Sequence, residues 1–434
     1  MLIIATMAFK RRYHLSLRKR STTFWETLGP GIVTGAADDD PSGVATYSQA
    51  GAQIGTPILW TMLLTWPLMS GIQYVSAQMG RVTGRGLAAN IRKYYGAKLA
   101  VPIMLLLCAA NIFNLGADIG AMGAAANLVT GGVAHFWAIF FTLLSVGLQI
   151  FIPYHKYANI LKWLTFVLFA YVGVIFFVRI PWQLVVSGTL LPHIQLNKQY
   201  ITTFVALLGT TISPYLFFWQ SSQEVEEIRT HADEHALRGS PREAPQALKR
   251  IRRDTIVGMA FSNLIAYFII LATAATLHQH GITTIQTSAQ AAEALRPIAG
   301  ELCFVLFTIG ILGTGMLALP VLAGSAAYAA GETLRFRGSL EDKPRNAKRF
   351  YAVLAVATLL GLLMIYTKIN PIQALYWSAV INGILSAPIM IVIMVMASRK
   401  KIMGNFTVTR HWWLLGWAAT LLMTVAVVVF FITL

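Results

Sequence analysis

Ala37-Asp38-Asp39-Asp40-Pro41-Ser42-Gly43 interrupts residues 28–54, a stretch otherwise apolar or small and long enough to span a bilayer. A carboxylate in hydrocarbon costs roughly 2.5–3.5 kcal/mol even on lenient insertion scales, and this run carries three. Proline and its small neighbours break a helix and free backbone carbonyls. The run therefore predicts acid side chains and unpaired carbonyls together at membrane mid-depth, which is the make-up of a cation site.

Composition agrees with a membrane setting. The 434 residues are 56% hydrophobic and only 12% charged, against about 25% charged in soluble domains. Eleven spans are expected, near 28–54, 56–80, 99–130, 133–153, 157–178, 200–224, 254–278, 298–334, 350–367, 373–398 and 412–433. The net charge of +17 suggests nucleic acid only until the charges are placed. With these spans, 30 of the 34 Lys and Arg residues fall on one side, and only Arg179, Lys198, Arg296 and Lys368 on the other. The positive-inside rule then predicts a multi-pass protein of the cytoplasmic (inner) membrane, N-terminus cytoplasmic and C-terminus outside. The basic loops face anionic lipid and bind no nucleic acid. Met1–Phe9 is short and precedes its basic cluster, so it does not read as a cleaved signal. Cys108 and Cys303 lie in apolar spans and form no disulfide framework or zinc spacing.

The expected organisation is a cytoplasmic tail at 1–27 and one transmembrane domain at 28–434. The sixth span carries a second interruption, Gly209-Thr210-Thr211-Ile212-Ser213-Pro214-Tyr215, where Pro214 removes a helical hydrogen bond. Broken helices at matching positions of two halves point to a transporter site between inverted repeats. The repeats would be 28–178 and 200–398, with 412–433 as an extra helix and 225–253 as a charged cytoplasmic loop joining the halves.

Few acids lie within the spans: Asp38, Asp39, Asp40 and Asp118, with Asp254, Glu301 and Glu332 towards span ends. No Lys or Arg sits mid-span to neutralise the triple Asp. Asp40 adjoins the break, and helical rotation would send Asp38 and Asp39 to other faces, about 200° and 100° away. All nine His lie outside the central parts of the spans, and no His-Glu-x-x-His run, nucleophile elbow or phosphate loop occurs. An enzyme is not expected, nor is a bound cofactor.

These residues carry a family resemblance. Gly29-Pro30-Gly31, Asp40-Pro41-Ser42-Gly43 and Gln49-Ala50-Gly51-Ala52-Gln53 with Gly55 resemble the first helix of the Nramp divalent-metal transporters, and Gly209 to Ser221 is similar to that family's second signature. The resemblance spans essentially the whole chain. It implies an all-α membrane fold of eleven helices with LeuT-type 5+5 inverted repeats. Departures from the pattern are informative. The family's Asp-Pro-Gly-Asn matches at Asp40, but Gly43 replaces the Asn. Its Met-Pro-His reads Ser213-Pro214-Tyr215 here, and its later His corresponds to Gln220. The third-helix acids tied to proton transfer align with Asn114 and Ala117, and Asp118 sits one position on. Losing the Met thioether removes a soft ligand, and small residues at 43 and 213 are expected to enlarge the pocket. This pattern resembles the bacterial Nramp-related magnesium transporter branch, with Mg²⁺ or Mn²⁺ as transported substrate. Asp40 is the expected main ligand. The Ala37 and Thr210 carbonyls and the Ser213 hydroxyl would add to it directly or through water. Pro214, Tyr215 and Gln220 would shape the pocket, with Asp39 as a vestibule or supporting group. A proton-coupled Mn²⁺/Fe²⁺ transporter with drifted motifs stays open as the alternative. Oligomeric state is not legible.

Overall fold

The computed structural model describes residues 30–152, 156, 166–230 and 234–433. The tail at 1–27, Gly29 and residues 157–165 of the span expected at 157–178 lie outside the described residues, as do His14, His155 and His231.

The described chain is helical. The first break separates α1 (Pro30–Asp38) from α2 (Pro41–Ile54). There follow α3 (Trp60–Thr83), the short α4 (Leu87–Tyr95), α5 (Ala97–Thr130) and α6 (Ala134–Phe151). The second break separates α7 (Lys198–Thr211) from α8 (Pro214–Thr230). Then come α9 (Ala244–Thr276), α10 (Cys303–Leu334), α11 (Lys348–Leu363), α12 (Pro371–Ala397) and α13 (Arg410–Thr433). Eight stretches of the described residues are long and apolar enough to cross a bilayer, α7 and α8 counting as one.

Polarity runs inside out relative to a soluble protein. Leu105, Phe136, Leu143, Leu359, Leu421 and Phe431 are exposed on α5, α6, α11 and α13, while Asp38, Asp39, Asp40, Asn114 and Asp118 are buried. Only a hydrocarbon solvent makes that arrangement favourable, so the chain spans a membrane. Helices meet through small residues, as membrane helices do. A Cβ at Gly35 of α1 would strike the backbone of Gly258 in α9, and one at Gly209 of α7 would strike Ala379 and Gly383 in α12.

Residues 225–253 differ from the continuous loop expected of them. α8 runs on to Thr230 and α9 starts at Ala244, so most of the basic residues there are helical. Lys and Arg are good helix formers, and a membrane helix readily continues into the headgroup region.

Candidate cation site at two broken helices

Each break follows from a proline that cannot donate to the carbonyl four residues earlier. Pro41 leaves the Ala37 carbonyl without its helical partner, and Pro214 does the same for Thr210. Each carbonyl has acquired a side-chain donor instead. The Tyr215 hydroxyl donates to Ala37 at 3.2 Å. The Ser213 hydroxyl reaches the Gly209 carbonyl at 2.7 Å and that of Thr210 at 2.9 Å. Both carbonyls that lost a helical donor are thus satisfied by neutral hydroxyls.

Asp40 stands at the centre. It caps α2, its Oδ1 accepting the Gly43 N–H at 2.7 Å. Its Oδ2 accepts from Asn114 Nδ2 at 3.2 Å and from the Tyr215 hydroxyl at 3.4 Å. Asn114 therefore touches the carboxylate directly from α5. Asp118, one turn further along α5, is buried with Asp40 and the backbone N–H of Ser42 as its polar neighbours. Gln220 accepts the Thr34 hydroxyl at 2.5 Å, tying α8 to α1. Ala117 faces elsewhere, onto a separate cavity beside Gly116, His135 and Met364.

Two expectations change. Helix α1 ends at Asp38, so Asp39 lies in the break and helical rotation does not set its direction. Both acids turn to one hydroxyl on α9. Ser262 Oγ lies 2.8 Å from Asp38 Oδ2 and 3.0 Å from Asp39 Oδ1. Nor does Gly43 enlarge the pocket. A Cβ there would lie 3.0 Å from the Asp38 carbonyl and 3.3 Å from both Thr210 Oγ1 and the Tyr47 ring, so neighbours already fill the space.

Sequence reasoning missed Ser262, Thr34 and the serines of α12. Ser378 meets the Ser42 hydroxyl at 2.8 Å beside the first break, and Ser386 donates to the Ile212 carbonyl at 2.6 Å within the second. Eight residues apart, they share a face of α12 and pin both breaks to it. The available signal was polar residues in the apolar spans 254–278 and 373–398. Among the described residues, no three His, Cys, Asp or Glu side chains gather as a metal cluster. What the breaks offer is one carboxylate, carbonyls and hydroxyls, a set of hard oxygen donors.

The chain is 25% identical over 421 residues to the divalent metal cation transporter MntH of Mycobacterium leprae, covering 94% of this chain and 92% of that protein. Its fold is similar to the crystal structure of the Eremococcus coleocola manganese transporter, with a TM-score of 0.74 at 16% identity over 94% of this chain and 87% of that one. It also resembles MhsT in complex with L-phenylalanine, with a TM-score of 0.59 at 13% identity over 93% of this chain and 98% of that one. The family profile described as natural resistance-associated macrophage protein-like matches residues 31–433, and the chain accordingly belongs to the Nramp family.

Proposed function

We propose that this chain carries divalent cations, chiefly Mg²⁺ with Mn²⁺ tolerated, into the cell by alternating access and without a coupled proton. The observation that carries the reading is Asp40 at the first break, where the Tyr215 hydroxyl of the second broken helix reaches both its carboxylate and the Ala37 carbonyl that Pro41 deprives of its helical donor. Relatives named as divalent metal cation transporters support the cargo class. Mg²⁺ favours oxygen donors and few carboxylates, and it keeps part of its water shell. Ser213 offers a hydroxyl where a soft ligand would select transition metals. An inside-negative potential draws in a 2+ charge with about 4.6 kcal/mol per 100 mV, enough to drive uptake unaided.

In this reading the chain lies in the cytoplasmic membrane with its N-terminus inside and C-terminus outside. Eleven helices form inverted repeats over 28–178 and 200–398, and 412–433 stands apart. Asp38 and Asp39 belong to the site's surroundings rather than its ligand set.

A second reading, a proton-coupled Mn²⁺/Fe²⁺ carrier, is favoured by Asp118, a second buried acid beside Asp40. Uptake into liposomes under a potassium diffusion potential separates the two. Mg²⁺ entry driven by the potential, with unchanged lumenal pH and loss in Asp40→Asn, is the expected result. Lumenal acidification in step with metal entry would overturn the uncoupled reading, and full transport by Asp40→Asn would overturn the site.

A further inference from the structure

Away from the breaks, a cavity of about 240 Å³ opens between the end of α3, the start of α4, α8 and the end of α10. Its wall carries four arginines, Arg85, Arg229, Arg335 and Arg337, and two acids, Glu226 and Glu332. Both acids are already engaged. Glu226 pairs with Arg229 at 2.7 Å, while Glu332 accepts from the Ala89 N–H at 3.0 Å and the Ser222 hydroxyl at 3.2 Å. Glu332 thereby occupies the N-terminal end of α4, so that helix end is not vacant. Among the described residues the guanidinium groups of Arg85, Arg335 and Arg337 make no ion pair or side-chain hydrogen bond, and all three residues are exposed. The uncompensated charge in the cavity is positive.

Arg335 adds an independent sign. It closes α10 at φ 64° and ψ 39°, and it is the only non-glycine residue among those described with positive φ. A helix end of this shape favours glycine, because a Cβ crowds the neighbouring carbonyl. Here the strained position carries an exposed arginine of the cavity wall. Basic residues at helix ends also serve as topology signals, but that role requires neither convergence on one cavity nor a strained backbone.

We propose that this cavity binds a phosphate-bearing anion through Arg85, Arg335 and Arg337. Guanidinium forks match phosphate oxygens in pairs, which makes three of them round a concave wall selective for phosphate over chloride. The phosphate is that of a soluble polyphosphate or of an anionic lipid headgroup.

The test uses the full chain purified in neutral detergent, with pyrophosphate titrated by calorimetry, and the same protein in nanodiscs with or without phosphatidylglycerol, read by native mass spectrometry. Pyrophosphate binding, or selective retention of phosphatidylglycerol, is expected. The first outcome identifies a soluble ligand and the second a lipid. Arg335→Gly suits the positive φ of this position while removing the guanidinium, so the fold should be retained, and it should weaken binding by at least about tenfold. Absence of both pyrophosphate binding and lipid selectivity would overturn the proposal. So would unchanged binding in Arg335→Gly and in a combined Arg85→Ala, Arg337→Ala chain. Asp40→Asn should bind the anion as the parent does, so failure of the transport reading and failure of this one are separately visible.

Discussion

The Tyr215 hydroxyl, set 3.2 Å from the Ala37 carbonyl and 3.4 Å from Asp40 Oδ2, bridges two oxygens of the first break. Tyr215 follows Pro214, so the second break supplies the group that occupies the first. At the proposed site, an entering ion would have to take both oxygens from this hydroxyl. Under the proposed function, Tyr215 would compete with the cation for these two oxygens.

Tyr215→Phe removes that competitor while keeping the ring that packs there. A hydrogen bond is worth about 1 kcal/mol net, and these two are long, so Mn²⁺ affinity should rise by up to about fivefold. Calorimetry on the purified variant measures it. A clear fall in affinity would show instead that the hydroxyl helps to hold the ion.

Asp40→Asn separates charge from structure. Asparagine caps a helix as well as aspartate does, and its carbonyl oxygen can still accept the Gly43 N–H. The melting temperature in detergent should stay within a few degrees, about the shift that 1 kcal/mol brings. Metal uptake should fall by more than about a hundredfold, because the site's central carboxylate is gone. A loss of folding alongside the loss of transport would place Asp40 in the scaffold.

Ser262→Ala strips Asp38 and Asp39 of their shared donor. Two buried carboxylate oxygens would lose a hydrogen bond, at a cost of about 1–3 kcal/mol. Asp39→Asn placed on top should recover part of that, since an amide can donate to Asp38. Thermal unfolding of the single and double variants gives the coupling directly. Additive losses would mean that the two acids do not share one environment.

How far the chain could be read follows from the range of each interaction. Pro41 and Pro214 act on carbonyls four residues away, so both breaks are legible locally, and so is Asp40 beside one of them. Ser262 is 223 residues from Asp39 and Ser386 is 174 from Ile212, so their partners exist only once the helices pack. Asp38 and Asp39 do turn away from Asp40's partners, but not by the expected helical angles, because the helix stops at Asp38. Gly43 misled for a related reason: a missing side chain leaves a hole only if neighbours stay away, and here Asp38, Thr210 and Tyr47 close in.

Arg81 anchors the segment between α8 and α9. Its guanidinium, 2% exposed, pairs with Glu234 and lies 3.6 Å from Glu243. The carbonyls of Arg81 and Val82 accept the Leu237 and Arg238 N–H groups, each at 3.2 Å. Removing one partner of a buried pair strands the other, at a cost of about 3–5 kcal/mol, reduced here because both acids are about a third exposed. Arg81→Gln should therefore raise hydrogen exchange over 234–243 by at least about tenfold while leaving α5 protected. Equal exchange in both chains would mean that backbone contacts alone hold the linker.

Ser213→Met tests what sets the preference between hard and soft ions. Ser213 now spends its hydroxyl on the Gly209 and Thr210 carbonyls, as serines near helix ends commonly do. Methionine at this position would release the Thr210 carbonyl and bring a thioether to the gap. The site is buried, so the larger side chain should cost about 1–3 kcal/mol in stability. A mixed set of carboxylate, carbonyl and thioether suits Cd²⁺ and Mn²⁺ better than Mg²⁺. Cd²⁺ should then compete with Mn²⁺ at lower concentration than in the parent chain, and Mg²⁺ uptake should decline. Gly43→Asn provides the contrast. Its Cβ would meet the Asp38 carbonyl at 3.0 Å, so the main effect should be lost stability with no gain in Cd²⁺ binding. If Asn at 43 altered metal choice and Met at 213 did not, selectivity would belong to the first break rather than the second.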